Sequence, residues 1–262
     1  MQIVTLLTDF GEKDGYVGVM KGVILGIAPQ VRIVDLSHAV SPQDVREAAL
    51  LLGRSAPYFP AGTIHVAVVD PGVGTQRRGI AAQFGGQFFV GPDNGLITLL
   101  YQSARSKLLE IKIVHLDQPK YWLPQVSRTF HGRDIFAPAA AHLAKGVALD
   151  SLGTAIADPV LLSIPSPKRI KVGWQGEVIH KDVFGNLATN IRKEDLPEGA
   201  DICVSIKGKG KIQLKRTFGE EKPGDLVAVI DGFGYLTICV VNGSAAQLLG
   251  ADVGEKVDAV FS

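Results

Sequence analysis

Over about the first 160 residues, short β-rich apolar runs alternate with segments of helical spacing. This alternation restricts the chain more than any other feature. Parallel strands need long crossover connections, so the pattern implies βαβ units around a largely parallel sheet. Gln2 to Thr8 reads as a buried strand, and Gly11, Gly15 and Gly18 open a helical segment with Val19, Val23 and Ile27 on one face, stopped by Pro29. A second strand is expected over Val31 to Leu36. Ser41-Pro42-Gln43-Asp44 then supplies an N-cap, a first-turn proline and an acidic N3 residue for a helix over Val45 to Arg54. Thr63 to Val69 and Leu108 to Val114 read as strands and Ile80 to Val90 as a hairpin turning at Gly85-Gly86, with helices after Asn94 and Gly132.

The texture changes at DPVLLSIPSP (158–167), whose three prolines and two serines read as a linker. The expected division is an α/β domain at 1–162 and a β-barrel at 163–262. In the second part Glu177 to Ile179, Asp201 to Ile206, Lys211 to Thr217, Leu226 to Ile230 and Tyr235 to Val241 read as strands, and KGKGK (207–211) as a solvated hairpin tip. No internal repeat is evident. With 46% hydrophobic and 20% charged residues and a mean hydropathy of +0.20, the chain has enough apolar side chain to fold by itself. Its 27 basic and 26 acidic residues lack the excess that drives nucleic-acid binding. Cys203 and Cys239 cannot build a four-thiolate zinc site and read as buried thiols in a reducing compartment. Neither a leader pattern nor a membrane-spanning stretch is evident, so the expectation is a soluble cytoplasmic protein without a membrane partner.

Ligands of open α/β sheets collect at the carboxyl ends of strands, which singles out Asp9, Asp70, Asp93-Asn94 and His131. In VVDPGVGTQRRG, Asp70 follows an apolar run, and Pro71, Gly72 and Gly74 force a tight loop toward Arg77-Arg78. That loop can aim an acid and an arginine at one point, or Asp70 can simply cap its own turn. Neither GxxxxGK[ST] nor GxGxxG is present, which removes the main support for ATP or NAD. His131, in RTFHGRD, is suited to polarising a proton on a ligand or water, or to bonding nearby backbone. The histidines show no HxxxH or HExxH spacing, so no metal is expected. In DVFGNLATN, Phe184 can face a planar ring and Asn186 can read a purine edge, unless Gly185-Asn186 is only a turn corner. DGFGYL around Gly232-Phe233 leaves the same choice between a turn and a close approach to ligand.

Six ordered segments carry a resemblance over nearly the whole chain: LLTDFGEKDGYVGVMKG, VVDPGVGTQRR, GPDNG, TFHGRDIFAP, DVFGNLATN and DGFGYLTICVVNGSAAQLLG. Together they resemble the adenosine-forming S-adenosyl-L-methionine hydrolases, also called SAM hydroxide adenosyltransferases. The resemblance implies attack of water on S-adenosylmethionine in a homotrimer, with each site between the N-terminal domain of one subunit and the C-terminal domain of its neighbour; with no metal spacing and a leaving group that needs no Lewis acid, no cofactor is expected. It places the catalytic set on Asp70, Arg77 and His131, a ribose-binding acid on Asp9 and a methionine-contacting acid on Asp14. Asn186 matches an adenine-reading amide, Phe184 and Phe218 match ring-packing aromatics, and Gly232 and Phe233 lie toward the methionine end. Related halogenating enzymes carry tyrosine at the position of Asp70 and a halide-binding serine at that of Gly132; this chain has neither. A halogenase and a non-catalytic SAM or adenosine sensor are the competing expectations.

Overall fold

The computed structural model describes residues 2–261, which fall into two compact units, Met1–Leu162 and Ser163–Ser262. The first unit runs β1 (Ile3–Thr8), α1 (Tyr16–Ile27), β2 (Arg32–Ser37), α2 (Val45–Ser55), β3 (Ile64–Val68), β4 (Gly79–Phe84), β5 (Gln87–Pro92), α3 (Thr98–Ser106), β6 (Ile111–Leu116), α4 (Ala137–Ala144) and β7 (Gly153–Ala155). Its seven strands lie in the order β2-β1-β3-β5-β4-β6-β7. β2, β1, β3 and β5 pair in parallel, and β4 is antiparallel to both β5 and β6, so β6 shares their direction and the sheet is largely parallel. Alternate residues of the central strands feed two cores. Leu6, Val66 and Val68 pack with Met20 and Ile24 of α1 and the alanine-rich α4, while Leu7, Ala67 and Val69 pack with Leu52 of α2 and Ala104 of α3. Burial on both faces is why these strands read as continuous apolar runs.

Three local expectations are corrected. In α1 the buried stripe is Val17, Met20 and Ile24, whereas Val19 is exposed. The N-cap of α2 is Asp44, whose side chain accepts from the Glu47 N–H, because Gln43 adopts a left-handed φ of 66° and delays the helix past Ser41. The strand expected from Leu108 starts at Ile111, since Leu108 also has positive φ (54°) and closes the turn after α3.

The second unit contains β8 (Lys168–Ile170), β9 (Gly173–Lys181), β10 (Leu187–Arg192), β11 (Ile202–Ile206), β12 (Lys209–Gln213), β13 (Leu226–Ile230), β14 (Tyr235–Val240), α5 (Ala245–Leu249) and β15 (Lys256–Phe261). The order β12-β11-β15-β9-β10-β14-β13 is antiparallel throughout, with β8 beside β9. A Leu214–Ala228 bridge brings the two ends together, so the sheet is a nearly closed barrel around Val178, Ile191, Val204, Leu236 and Ile238. β8, β10 and β15 are strands absent from the sequence-based expectation. Lys207-Gly208, both at positive φ, turn the β11–β12 hairpin as expected. Cys239 is buried, which pushes its thiol up to about 12, but Cys203 is only half-buried; both are free.

The two halves of the second unit share a turn. In Asp182-Val183-Phe184-Gly185-Asn186, the Gly185 N–H donates to the Asp182 carbonyl, and the Phe184 and Asn186 N–H groups donate to Asp182 Oδ1 (3.0 and 2.9 Å). Asp231-Gly232-Phe233-Gly234-Tyr235 repeats every one of these bonds. The left-handed position falls on Gly185 (φ 81°) and Gly234 (φ 83°), which only glycine adopts without strain. The corner is therefore Val183-Phe184, not Gly185-Asn186, and each turn lifts a phenylalanine to its tip.

Candidate active site

β1 feeds β2 on one side through α1, and the chain then crosses back through α2 to place β3 on the other side. The carboxyl ends of β1 and β3 consequently flank the topological switch point, where a crevice must open. Asp9 follows β1 directly and Asp70 lies two residues beyond β3. Both line a cavity of about 430 Å³, together with His131, Phe10, Tyr16 and Phe130.

Arg77 joins the chemical groups. Its Nε donates to Asp70 Oδ1 and Oδ2 (2.9 and 3.0 Å), and its Nη2 donates to Asp70 Oδ2 and lies 2.9 Å from His131 Nδ1. A guanidinium has only donors, so His131 Nδ1 is the acceptor and the neutral ring carries its proton on Nε2. Burial first, then the Arg77 charge, pushes the His131 pKa below the ordinary imidazole value, against the opposing influence of Asp70 and Asp134. Asp70 and Arg77 are 5% and 12% exposed, so the pair is almost dry, and the guanidinium sits 5.2 Å from the Phe136 ring centroid. Arg78 points elsewhere: it binds Asp93 (Nε–Oδ2 2.9 Å) and Asp158 (Nη1–Oδ1 2.9 Å). The choice between the two arginines is thereby made by geometry.

The His131 loop is braced by Asp134, which is fully buried and accepts from the Ser127 N–H (2.8 Å) and Arg133 Nε (2.6 Å). His131 caps a five-residue π-helical segment, Gly132–Phe136, that leads into α4. Gly74 allows the Asp70 loop to meet this one, since a Cβ there would run into the Arg128 carbonyl. Asp9 Oδ2 accepts from the Gln43 N–H (2.8 Å), so the left-handed Gln43 that shortens α2 also orients Asp9.

Asp14 is exposed and is not among the described residues lining the cavity. The cavity instead uses Phe10, Tyr16 and Phe130, which contact one another edge to face with centroids 5.2–5.8 Å apart. The segments TDF, DGY and RTF each carry one of these rings at or next to a position adjoining Asp9, Asp14 or His131, and none of the three rings is among the residues singled out from the sequence. In the second unit, considered by itself, Phe184 is 72%, Phe233 48% and Phe218 47% exposed. Asn186 donates from Nδ2 to Asp182 Oδ2 (2.8 Å), which orients its amide, and Gly232 sits in the second of the paired turns. A larger cleft in that unit, about 780 Å³, has an apolar floor of Leu196, Ile202, Leu214 and Ile230 under lysines, an arginine and glutamates, with no histidine or buried acid. Among the described residues no group of three or more His, Cys, Asp or Glu converges as a metal site.

The model of the SAM hydroxide adenosyltransferase N-terminal domain matches residues 4–153, and that of the C-terminal domain matches 176–258. This chain belongs to the SAM hydroxide adenosyltransferase family. A relative from Thermus thermophilus named (R)-S-adenosyl-L-methionine hydrolase is 43% identical over 98% of this chain and 99% of its own. A fluorinase from an Actinoplanes species is 28% identical over 90% of each chain. A solved structure of an uncharacterized conserved protein from Thermotoga maritima superposes with a TM-score of 0.90 at 34% identity, covering 98% of this chain and 99% of that one. Family membership thus includes hydrolases and halogenating enzymes, and Gly132 bears on which is present here. A Cβ at Gly132 would lie 3.2 Å from Met20 Sδ and 3.3 Å from Phe130 Cε2, so a serine fits only if its neighbours yield.

Proposed function

We propose that this chain is a hydrolase that converts S-adenosyl-L-methionine to adenosine and L-methionine by attack of water at C5′. The carrying observation is the single guanidinium of Arg77 that binds both Asp70 and His131, two residues that line the switch-point cavity. The sulfonium substrate already has a good leaving group: methionine departs with a neutral thioether and needs no proton. The difficulty lies in the nucleophile, because bulk water has a pKa of about 15.7. Arg77 supplies positive charge where hydroxide develops. His131 Nδ1 is committed to Arg77, so Nε2–H serves as a donor that orients the water. Asp70 Oδ1 accepts a single bond from Arg77 and keeps a lone pair for the water's proton, which then passes to solvent. Hydroxide meeting a sulfonium annihilates charge, so the nearly dry pair favours the transition state over the separated ions.

In this reading residues 1–162 form the catalytic domain and 163–262 the β-barrel domain that completes substrate binding. Asp9 takes the ribose, Asp14 the methionine amino group, Asn186 the adenine edge, and Phe184, Phe218 and Phe233, with Gly232, the substrate's flat and aliphatic parts. The assembly is a homotrimer in the cytoplasm, a setting compatible with the two free thiols. No cofactor or metal takes part, and dialysis against a chelator leaves the rate unchanged; loss of activity restored by a divalent ion would contradict this. The T. thermophilus relative is named for the (R) epimer at sulfur, and we assign this chain the same preference.

The test incubates the protein with separated sulfur epimers in ¹⁸O-labelled water. The expected products are methionine and adenosine with the label at the 5′ oxygen, formed faster from the (R) epimer. Unlabelled adenosine or equal epimer rates would remove the corresponding part of the proposal. A halide-dependent 5′-halogenated product would establish the halogenase instead, and tight binding without turnover would establish the sensor.

A further inference from the structure

GPDNG (91–95) has no part in the chemistry described above, yet its two polar residues touch both ends of the catalytic loop. Asn94 Nδ2 donates to the Val69 carbonyl (2.8 Å), the residue immediately before Asp70. Asp93, whose side chain is 1% exposed, accepts from Arg78 Nε (2.9 Å), and its backbone N–H donates to the Arg78 carbonyl (2.8 Å); Arg78 immediately follows Arg77. The second oxygen of Asp93 accepts from the Val160 N–H (2.8 Å), and Asp158 holds the far side of Arg78. Two adjacent residues at the end of β5 therefore fix the backbone on either side of the 70–77 loop.

Within that loop the backbone and Thr75 hydrogen bonds are all short-range: Val73 N–H to the Asp70 carbonyl, Thr75 N–H and Oγ1 to the Gly72 carbonyl, and Arg77 N–H to Thr75 Oγ1 (3.3 Å). Such bonds shape the loop but do not hold its two ends at a set separation. The Asp70–Arg77 pair needs that separation, because a two-point carboxylate–guanidinium contact tolerates little displacement and a misplacement of about 1 Å costs roughly a hundredfold in rate.

We propose that Asn94 and Asp93 are positioning residues that hold Asp70 and Arg77 in register through Val69 and Arg78. The inference rests on the hydrolase reading for its kinetic readout, and a second readout is independent of it. Arg77, Asp70 and Asp134 are the charged groups acting on His131, so the His131 titration reports whether Arg77 remains in place.

The experiment compares Asn94→Ala and Arg78→Lys with the unsubstituted protein, each checked for fold by circular dichroism. Lysine keeps the charge at position 78 but cannot fork between Asp93 and Asp158. Adenosine release gives kcat and KM, and NMR of the histidine ring protons gives the His131 midpoint without substrate. The expected result in both variants is a kcat at least about tenfold lower, a KM within about threefold, and a His131 midpoint raised because the Arg77 charge has moved away. Should Asn94→Ala fail to fold, Arg78→Lys carries the test, since its buried partner Asp93 remains paired. Unchanged kcat and an unchanged His131 midpoint in a folded variant would overturn the proposal. If the unsubstituted protein releases no adenosine, the hydrolase reading fails by itself, and the His131 midpoint alone decides whether Asn94 and Asp93 position the pair.

Discussion

In the proposed mechanism Arg77 has two tasks, stabilising the attacking oxygen and, through its contact with Nδ1, fixing the tautomer of His131. Arg77→Lys retains the charge but not the two-point contact with Asp70, and a drop in kcat of about a hundredfold or more is expected. Asp70→Asn removes the proton acceptor and should do at least as much damage, whereas His131→Ala, which loses an orienting donor, should cost about a hundredfold. Adenosine release by the three folded variants measures this, and near-normal rates in all of them would remove the proposed set. The double variant Asp70→Asn/Arg77→Lys should be little worse than the poorer single one, since the groups act as a unit. The sign of the pH dependence follows from His131. Its pKa lies below the ordinary value of 6.5, so the ring is neutral at pH 7 and must gain a proton on acidification, which breaks the Nδ1 acceptor contact with Arg77. kcat should thus be flat near neutrality and fall on the acid side with a midpoint below 6.5, and this limb should vanish in His131→Ala.

At the level of elements, the parts legible in the sequence were those where one local rule dominates. The β4–β5 hairpin at Gly85-Gly86 and the strand-to-loop exit at Asp70 are cases of turn chemistry overriding everything nearby. The N-cap of α2 was misplaced because a non-glycine residue, Gln43, accepts positive φ to reach Asp9, and no local propensity announces a cost that a site demands. β10 was missed because LATNIR looks polar, yet Thr189 and Asn190 are buried and bonded to the Leu236 carbonyl and the Pro165 carbonyl, contacts made by residues far away in sequence. The aromatic wall of the cavity shows in the sequence only as three separate rings near Asp9, Asp14 and His131: Phe10, Tyr16 and Phe130 meet only after β1 and the His131 loop are brought together. β3 carries a further consequence of such burial. His65, hydrogen-bonded to Thr5 Oγ1 (2.8 Å), is pushed down to about 4, chiefly by burial. The unfolded chain binds this proton more readily, so the contribution of His65 to stability is fully present above pH 6.5 and is lost as pH falls toward 4. The loss over that window should be about 2–3 kcal/mol. Urea denaturation should show a flatter pH dependence for His65→Gln, and an identical dependence in the two proteins would refute the assignment.

For the whole molecule, the distribution of functional groups sets the problem. The first unit holds Asp9, Asp70 and His131 around an open cavity, with Arg77 bonded to the last two, and the cavity's three aromatic rings contact one another. Phe184 and Phe233 are lifted by the paired turns to exposed positions in the second unit, beside an Asn186 amide oriented by Asp182. The exposed rings on the turns offer a purine further flat apolar surface, and the open cavity needs a cover that excludes water, which a sulfonium reaction requires. In the proposed homotrimer the first unit of one chain faces the second unit of its neighbour, and this makes a quantitative prediction. His131→Ala and Asn186→Ala should each be nearly inactive alone. After exchange of subunits in an equal mixture, half of the first units and half of the second units are intact, so about a quarter of the interfaces pair one intact unit with another. Adenosine release should then recover to about a quarter of the unsubstituted rate, and a double variant carrying both changes, mixed with either single one, should recover none. Mass-tagged chains establish that exchange has occurred. Exchange without recovery, or full turnover by protein diluted to the monomer, would show that each chain completes its own site.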